Sequence, residues 1–460
     1  MPTEVEPTPS REPGLFRLTW PIFFEIFLFM LMGTADTLML SGVSDAAVSA
    51  VGVVNQYVFI CILVMEVVSH GASIVVSQYL GAKRGTEAAR IAAQAITMNF
   101  FLGLAVSGGL LLSADFILGR MNLEPQTRAY ASTYWHIAGG FLFLQALINV
   151  FSSLIRTYGF TRQSMYVAMG MNVVHVVGNW VLIFGHFGMP AHGVAGAAMS
   201  TVFSRAMAVG VFAWMLWRVM DVKMRPAHFV ALTREYVRKI LRVGVPSAVE
   251  QLTYHACQTV FLYYVTYLGP VALASRQYAN AMSQYVFLCS LAIGMGTSII
   301  VGRLVGAKRS QDAYARVLKS LKWSIGITVA VDLTAILFRE PLIRLFTHDG
   351  DILRLTSQVL VLSLLLETGR SFNLVLVNAL RAAGDATFPV IMAMISMVCM
   401  SLPLGYFLVF HLHLGLAGVW LAVAADEWTR GLAMWLRWRS RAWERQSLVS
   451  PAEAPVVMAH

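Results

Sequence analysis

Apolar runs of about 20 residues, the length an α-helix needs to cross roughly 30 Å of hydrocarbon, recur twelve times along this chain. They fall at 16–42, 48–80, 88–114, 129–156, 165–185, 193–217, 243–268, 275–303, 314–338, 353–380, 388–410 and 415–436. Several exceed what one crossing requires, which predicts tilt or protrusion beyond the bilayer. With 57% hydrophobic and 13% charged residues, the 460 positions hold too little polar surface to cover a soluble globule. The expected fold is an all-α polytopic membrane protein whose main solvent is lipid.

The placement of charge orients these spans. Of 34 Lys and Arg, 25 fall in the N-terminal stretch, the loops that follow even-numbered spans and the C-terminal tail, among them Lys83, Arg84, Lys308, Arg309 and Arg437. The opposite loops carry five: Arg120, Arg128, Arg339, Arg344 and Arg354. The positive-inside bias predicts a multi-pass protein of the bacterial inner membrane with both termini cytoplasmic. The net charge of +10 is thereby topological and gives no reason to expect a nucleic-acid partner. Cys61, Cys257, Cys289 and Cys399 sit inside spans without CxxC spacing, so they read as small apolar residues, not metal ligands or disulfide partners.

Sliding the chain against itself by 225 positions aligns nearly its whole length without net insertion. SIVVSQYLGAKR at 73–84 matches SIIVGRLVGAKR at 298–309, and the same offset pairs Pro21 with Pro246, Glu25 with Glu250, Arg156 with Arg381, and Arg205 with Arg430. Each copy holds six spans, so both enter from the same side and their pseudo-two-fold axis lies along the membrane normal. The expected architecture is two six-helix bundles facing a central cavity. Residues 1–13 form a disordered tail, 14–218 an N-lobe, 219–242 a cytoplasmic linker, 243–438 a C-lobe and 439–460 a cytoplasmic tail.

Charged groups inside a span cost several kcal/mol on insertion scales, so each needs a partner, a watery cavity or a neutral state. Asp36 has no counterpart in the second copy, where Phe261 stands. Asn172, His175 and Asn179 are spaced three and four apart and stack on one face of span 5. Asp36, Asn179 and Asn55 on span 2 lie at similar depth from the outer ends of their spans. Together these five residues form an expected coupling-cation site: a desolvated carboxylate can take a proton, and amide oxygens around it can instead complete the shell of a sodium ion. A single acid favours the proton.

Glu25 precedes Asp36 by 11 residues, which returns to nearly the same helix face about 16 Å away. With its repeat mate Glu250, it is expected across the cavity floor, to bind cationic substrate or form a gate. Glu66 and His70, four apart, and Glu367 and Arg370, three apart, complete the cavity candidates; the second is an intrahelical ion pair, structural or functional. No convergent His cluster, Ser–His pair or phosphate-binding glycine loop is present, so neither an enzyme nor an ATP-driven pump is indicated.

Pro21 fifteen residues before Asp36 in DTLMLSG, the GAKR turn, Ser275-Arg276-Gln277, and LRAAGD at 380–385 resemble multidrug and toxic compound extrusion (MATE) transporters over positions 14–440. The resemblance implies a monomeric, V-shaped, alternating-access antiporter that expels organic, often cationic, small molecules against protons or sodium ions. It needs no cofactor beyond the coupling ion. It implies further that Asp36 is the ion-responsive acid and that helices bend at Pro21, and by symmetry at Pro246. Two departures stand out. Asn179 replaces a second acid found in some branches, and Arg370 occupies the span 10 position where another branch carries an aspartate. A lipid-linked oligosaccharide flippase of related plan is the rival reading.

Overall fold

The computed structural model describes residues 14–218 and 224–449; the expected N-terminal tail (1–13) lies outside them. Twelve long helical segments follow one another: α1 (Leu15–Ser41), α2 (Asp45–Gly81), α3 (Gly85–Arg120), α4 (Pro125–Gly139 with Phe143–Tyr158), α5 (Thr161–Phe184) and α6 (Gly193–Arg218). The second half repeats them as α7 (Arg234–Thr266), α8 (Pro270–Gly306), α9 (Ser310–Leu337), α10 (Gly350–Ala382), α11 (Thr387–His411) and α12 (Gly415–Arg439). In hydrocarbon every backbone N–H and C=O must find its partner within the segment, which is why the apolar runs become helices.

Nine of these helices are apolar enough by composition to cross a membrane, and α4, bent by 45° at its break, makes a tenth. The two that fall short are α7, which carries Glu250, Gln251, His255 and Gln258, and α12, which carries Asp426, Glu427 and Arg430. On α12 these charged groups are buried against neighbouring helices, whereas on α7 Gln251 is exposed and the others are half-buried. Helices also outrun their apolar stretches. The seventh begins nine residues before the run at 243–268, because the polar turn from Arg234 continues the helix toward the linker.

The 225-residue offset holds in the backbone. α2 and α8 begin and end at repeat-related positions (45 and 270, 81 and 306). The GAKR turns place Lys83 (φ 60°) and Lys308 (φ 57°) in the left-handed region, and the turns after α4 and α10 use Gly159 (φ 102°) and Gly384 (φ 95°). Local departures have local causes. α4 breaks after Gly139-Gly140, whereas its mate α10 is continuous; α11 contains π-turns either side of Pro403, which cannot donate to the helix ladder.

The halves meet at the membrane side that carries both chain ends. There α2 crosses α8 through reciprocal glycines. A Cβ on Gly81 would collide with the Arg303 carbonyl, and one on Gly306 with that of Gln78, its repeat counterpart. Gln78 Nε2 donates to the Ala382 carbonyl at 2.7 Å, and Arg303 Nη2 donates to that of Thr157 at 2.6 Å. The segment after α12 crosses the seam: Leu448 N–H donates to Gln78 Oε1 at 2.8 Å, and Trp443 stacks on Trp438. Towards the other side the contacts thin to rings, such as Phe59 against His255 at 5.1 Å.

Candidate functional site

Asp36 lies five residues before the end of α1, and α5 presents His175 and Asn179 to it from one face. His175 Nε2 and Asn179 Nδ2 both sit 2.6 Å from Asp36 Oδ1. The aspartate is 8% exposed, and His175 and Asn179 are fully buried. α6 fixes the histidine from behind: Ser200 Oγ donates to the His175 carbonyl at 2.8 Å, and Ser204 Oγ lies 3.4 Å from Nδ1. Gly178 permits this approach, since a Cβ there would meet Ser200 Oγ at 2.5 Å.

Two members of the expected cluster are elsewhere. Asn172 donates to the Ala168 carbonyl one turn back on its own helix and makes no hydrogen bond to the acid. Asn55 is exposed on α2, one turn before Phe59. Because α2 starts at Asp45 and not at 48, Asn55 is about 15 Å from the helix start, deeper than the apolar run implied. Asn179 keeps one loose end, its buried Oδ1, which has no hydrogen-bond partner.

Glu25 is fully buried, not open to a cavity. Its Oε1 accepts from Arg156 Nη1 at 2.7 Å and from Ser152 Oγ at 2.8 Å, both on α4. Glu250 accepts from Arg381 Nη2 at 2.6 Å in the related arrangement on α10. The shared helix face of Glu25 and Asp36 therefore packs against α4 and α5, and each repeat-related glutamate is already occupied by a repeat-related arginine. This corrects their assignment as groups free to bind a cationic substrate. Pro21 and Pro246 are accommodated inside continuous helices. Glu66 and His70 face one another loosely, at 3.9 Å.

The second half builds a different polar core. Glu367 and Arg370 pair at 2.7 Å, and Arg430 bridges Asp426 (2.7 Å) and Glu427 (2.9 Å). Asn373 donates to Glu427 at 2.9 Å, which ties α10 to α12. Asp332 on α9 belongs beside this group and was not foreseen. It is 3% exposed, and its Oδ2 has no partner. Its signal in the sequence is a polar stripe at four-residue intervals, Ser320, Ser324, Thr328 and Asp332, within an otherwise apolar span. Arg205, the repeat mate of Arg430, has no acid on its own helix at the matching positions, which hold Thr201 and Val202.

A groove of about 630 Å³ lies between α9, α10 and α12 among Leu321, Ile325, Phe372, Leu432 and Trp435 and contains none of these acids. No cluster of three or more metal-ligating side chains occurs among the described residues.

Two repeated bundles of membrane-length helices with buried polar clusters define a polytopic membrane protein built by duplication. The MatE family profile matches residues 21–181 and 246–407, two stretches whose starts are 225 apart, and the chain belongs to this family of transporters. An uncharacterized transporter, YisQ, of Bacillus subtilis (strain 168) is 42% identical over 435 residues, covering 95% of this chain and 96% of its own. A probable multidrug resistance protein NorM of Thermotoga maritima is 28% identical, with 97% of this chain and 96% of its own covered. Among solved structures, a crystal structure of MATE in the bent conformation superposes with a TM-score of 0.86 at 22% identity, over 95% of this chain and 96% of that one.

Proposed function

We propose that this protein is a secondary active multidrug efflux antiporter that exports organic, often cationic, small molecules by alternating access. In this reading it works as a monomer in the bacterial inner membrane, with both termini cytoplasmic and no cofactor beyond a coupling cation. Residues 14–218 and 243–438 act as the two moving lobes. The observation that carries the reading is the buried Asp36–His175–Asn179 triad, in which the carboxylate is hydrogen-bonded to a histidine and an amide.

A proton is the coupling ion this triad suits. With Asp36 ionised, His175 Nε2–H donates to Oδ1; with Asp36 protonated, its O–H donates to an unprotonated Nε2. At 2.6 Å both arrangements keep the same heavy-atom positions, so a proton can arrive or leave without rebuilding the pair. Two nitrogens on Oδ1 offer nothing to a sodium ion, which takes oxygen ligands. The unpartnered Asn179 Oδ1 is the one feature that favours sodium, because turning toward Asp36 it would add a second oxygen.

In the proposed cycle a proton from outside neutralises Asp36, α1 repacks near Pro21, and substrate is released outward. A pH difference supplies about 1.4 kcal/mol per unit, enough to bias a two-state element. Reconstituted vesicles given a pH gradient or a sodium gradient separately, with ethidium movement followed by fluorescence, test this. Ethidium moving against its gradient with the pH gradient alone is expected. Movement with neither gradient, or only down its own gradient, overturns the antiport reading.

A further inference from the structure

We propose that the floor of the central cavity holds a seat for an anionic group, a carboxylate or its like, so that the substrates include molecules bearing a negative charge. The seat is a cavity of about 30 Å³ where the two halves meet, lined by Arg156, Arg381, His70, Ser73, Ser298 and Asn378 among others. Its lining obeys the repeat. Arg156 and Arg381, Ser73 and Ser298, and Ser153 and Asn378 each stand 225 apart, so two equivalent faces close on one point.

The polar groups that converge there are mostly donors. Each guanidinium carries five N–H groups, and each spends one short contact on its glutamate, Arg156 on Glu25 and Arg381 on Glu250. Arg381 Nε has no partner at all. Both arginines are 12% exposed, and the His70 side chain is 43% exposed, so the seat opens to the space between the lobes. The carboxylates lie behind the arginines: Glu25 is buried to 0% and does not line the seat. Glu66, 3.9 Å from His70, is the one acid at the rim. Ser153, Ser247 and Asn378 already donate to backbone carbonyls and Ser73 pairs with Thr157, so the recognition falls to the two guanidiniums, whose remaining N–H groups match a carboxylate better than an ammonium ion.

The volume admits a single small group, the charged tip of an organic anion or a chloride ion, and not a whole drug. The bulk of an organic substrate would remain outside the seat, on the side where His70 is exposed. The seat lies directly over the crossing of α2 and α8, so an occupant touches both halves at once and can report substrate to the closed end. This inference rests on the transporter reading but not on the proton site, because binding needs no gradient.

The test uses the purified full-length protein in nanodiscs and follows tryptophan fluorescence with benzoate and its neutral isostere benzamide, each at low and at saturating sodium chloride. Benzoate is expected to bind at least tenfold more tightly than benzamide. Arg381→Gln should bring the two within twofold. His70→Met, which installs the residue of the repeat-related position and leaves both ion pairs intact, should reduce the preference about threefold, so the answer does not depend on folding of the arginine variant. Glu25→Gln, which releases Arg156, should tighten benzoate about threefold. Equal binding of benzoate and benzamide to the wild type overturns the proposal. Chloride, the other ion small enough for the seat, should compete with benzoate, so benzoate binding left unchanged by saturating chloride also overturns the proposal. An Asp36→Asn protein should keep the benzoate preference while losing gradient-driven ethidium efflux, which separates failure of the seat from failure of the antiporter.

Discussion

The two halves share a backbone and differ in how they keep charge out of lipid. In the first half Asp36 meets a histidine and an amide, while in the second Glu367, Asp426 and Glu427 meet Arg370 and Arg430. The second-half carboxylates have fixed cations beside them, whereas Asp36 is hydrogen-bonded to an imidazole and an amide. Duplication supplied two scaffolds, and divergence left one with an acid bonded to a histidine and an amide and the other with a polar core bridged by guanidiniums. Asp332, buried beside that core without a hydrogen-bond partner, is the exception.

The sharpest way to break this contrast is Asp36→Asn. It keeps the shape and hydrogen bonds but removes the site of protonation, so proton-driven ethidium efflux should fall to background while the protein remains folded by size-exclusion chromatography. Efflux at wild-type rates would remove the distinction between the halves.

Arg430→Met attacks the other side of the contrast. It leaves Asp426 and Glu427 buried without their cation, a loss of the kind that costs about 3–5 kcal/mol. Thermal unfolding in detergent should shift down by many degrees, with efflux lost in proportion to folded protein. An unchanged melting temperature would show that the second half does not depend on its ion pairs.

His175→Gln retains a donor near Asp36 but cannot titrate. Efflux should drop about tenfold, on the order of 1.4 kcal/mol in the rate-limiting barrier, and its dependence on external pH should flatten. A purely structural histidine would lower protein yield without altering the pH profile. Ser204→Ala, which removes a contact of only 3.4 Å to His175 Nδ1, should change efflux by less than twofold.

Much of this was legible without coordinates because it is one-dimensional. Twelve apolar runs imply helices wherever lipid denies the backbone any other partner, and a constant offset of 225 makes the second half a copy of the first. The Asp36–Asn179 contact was accessible for a related reason: in helices of fixed rise, distance from the span end is depth. That same arithmetic misplaced Asn55, because α2 begins before its apolar run does.

What the sequence could not decide was who faces whom. Glu25 and Glu250 stood out as repeated acids, yet their meaning depends on Arg156 and Arg381, which reach them across 131 residues of chain in each half. Asp332 looked like an ordinary helix residue until α9 was packed beside α10. Sequence by itself determined the number of helices, their symmetry and the isolation of Asp36, since these follow from solvent and periodicity along one chain. Tertiary structure alone decided which charges are neutralised and that Arg156 and Arg381 line one small cavity, because the energy of a buried charge is set by neighbours that only folding brings near.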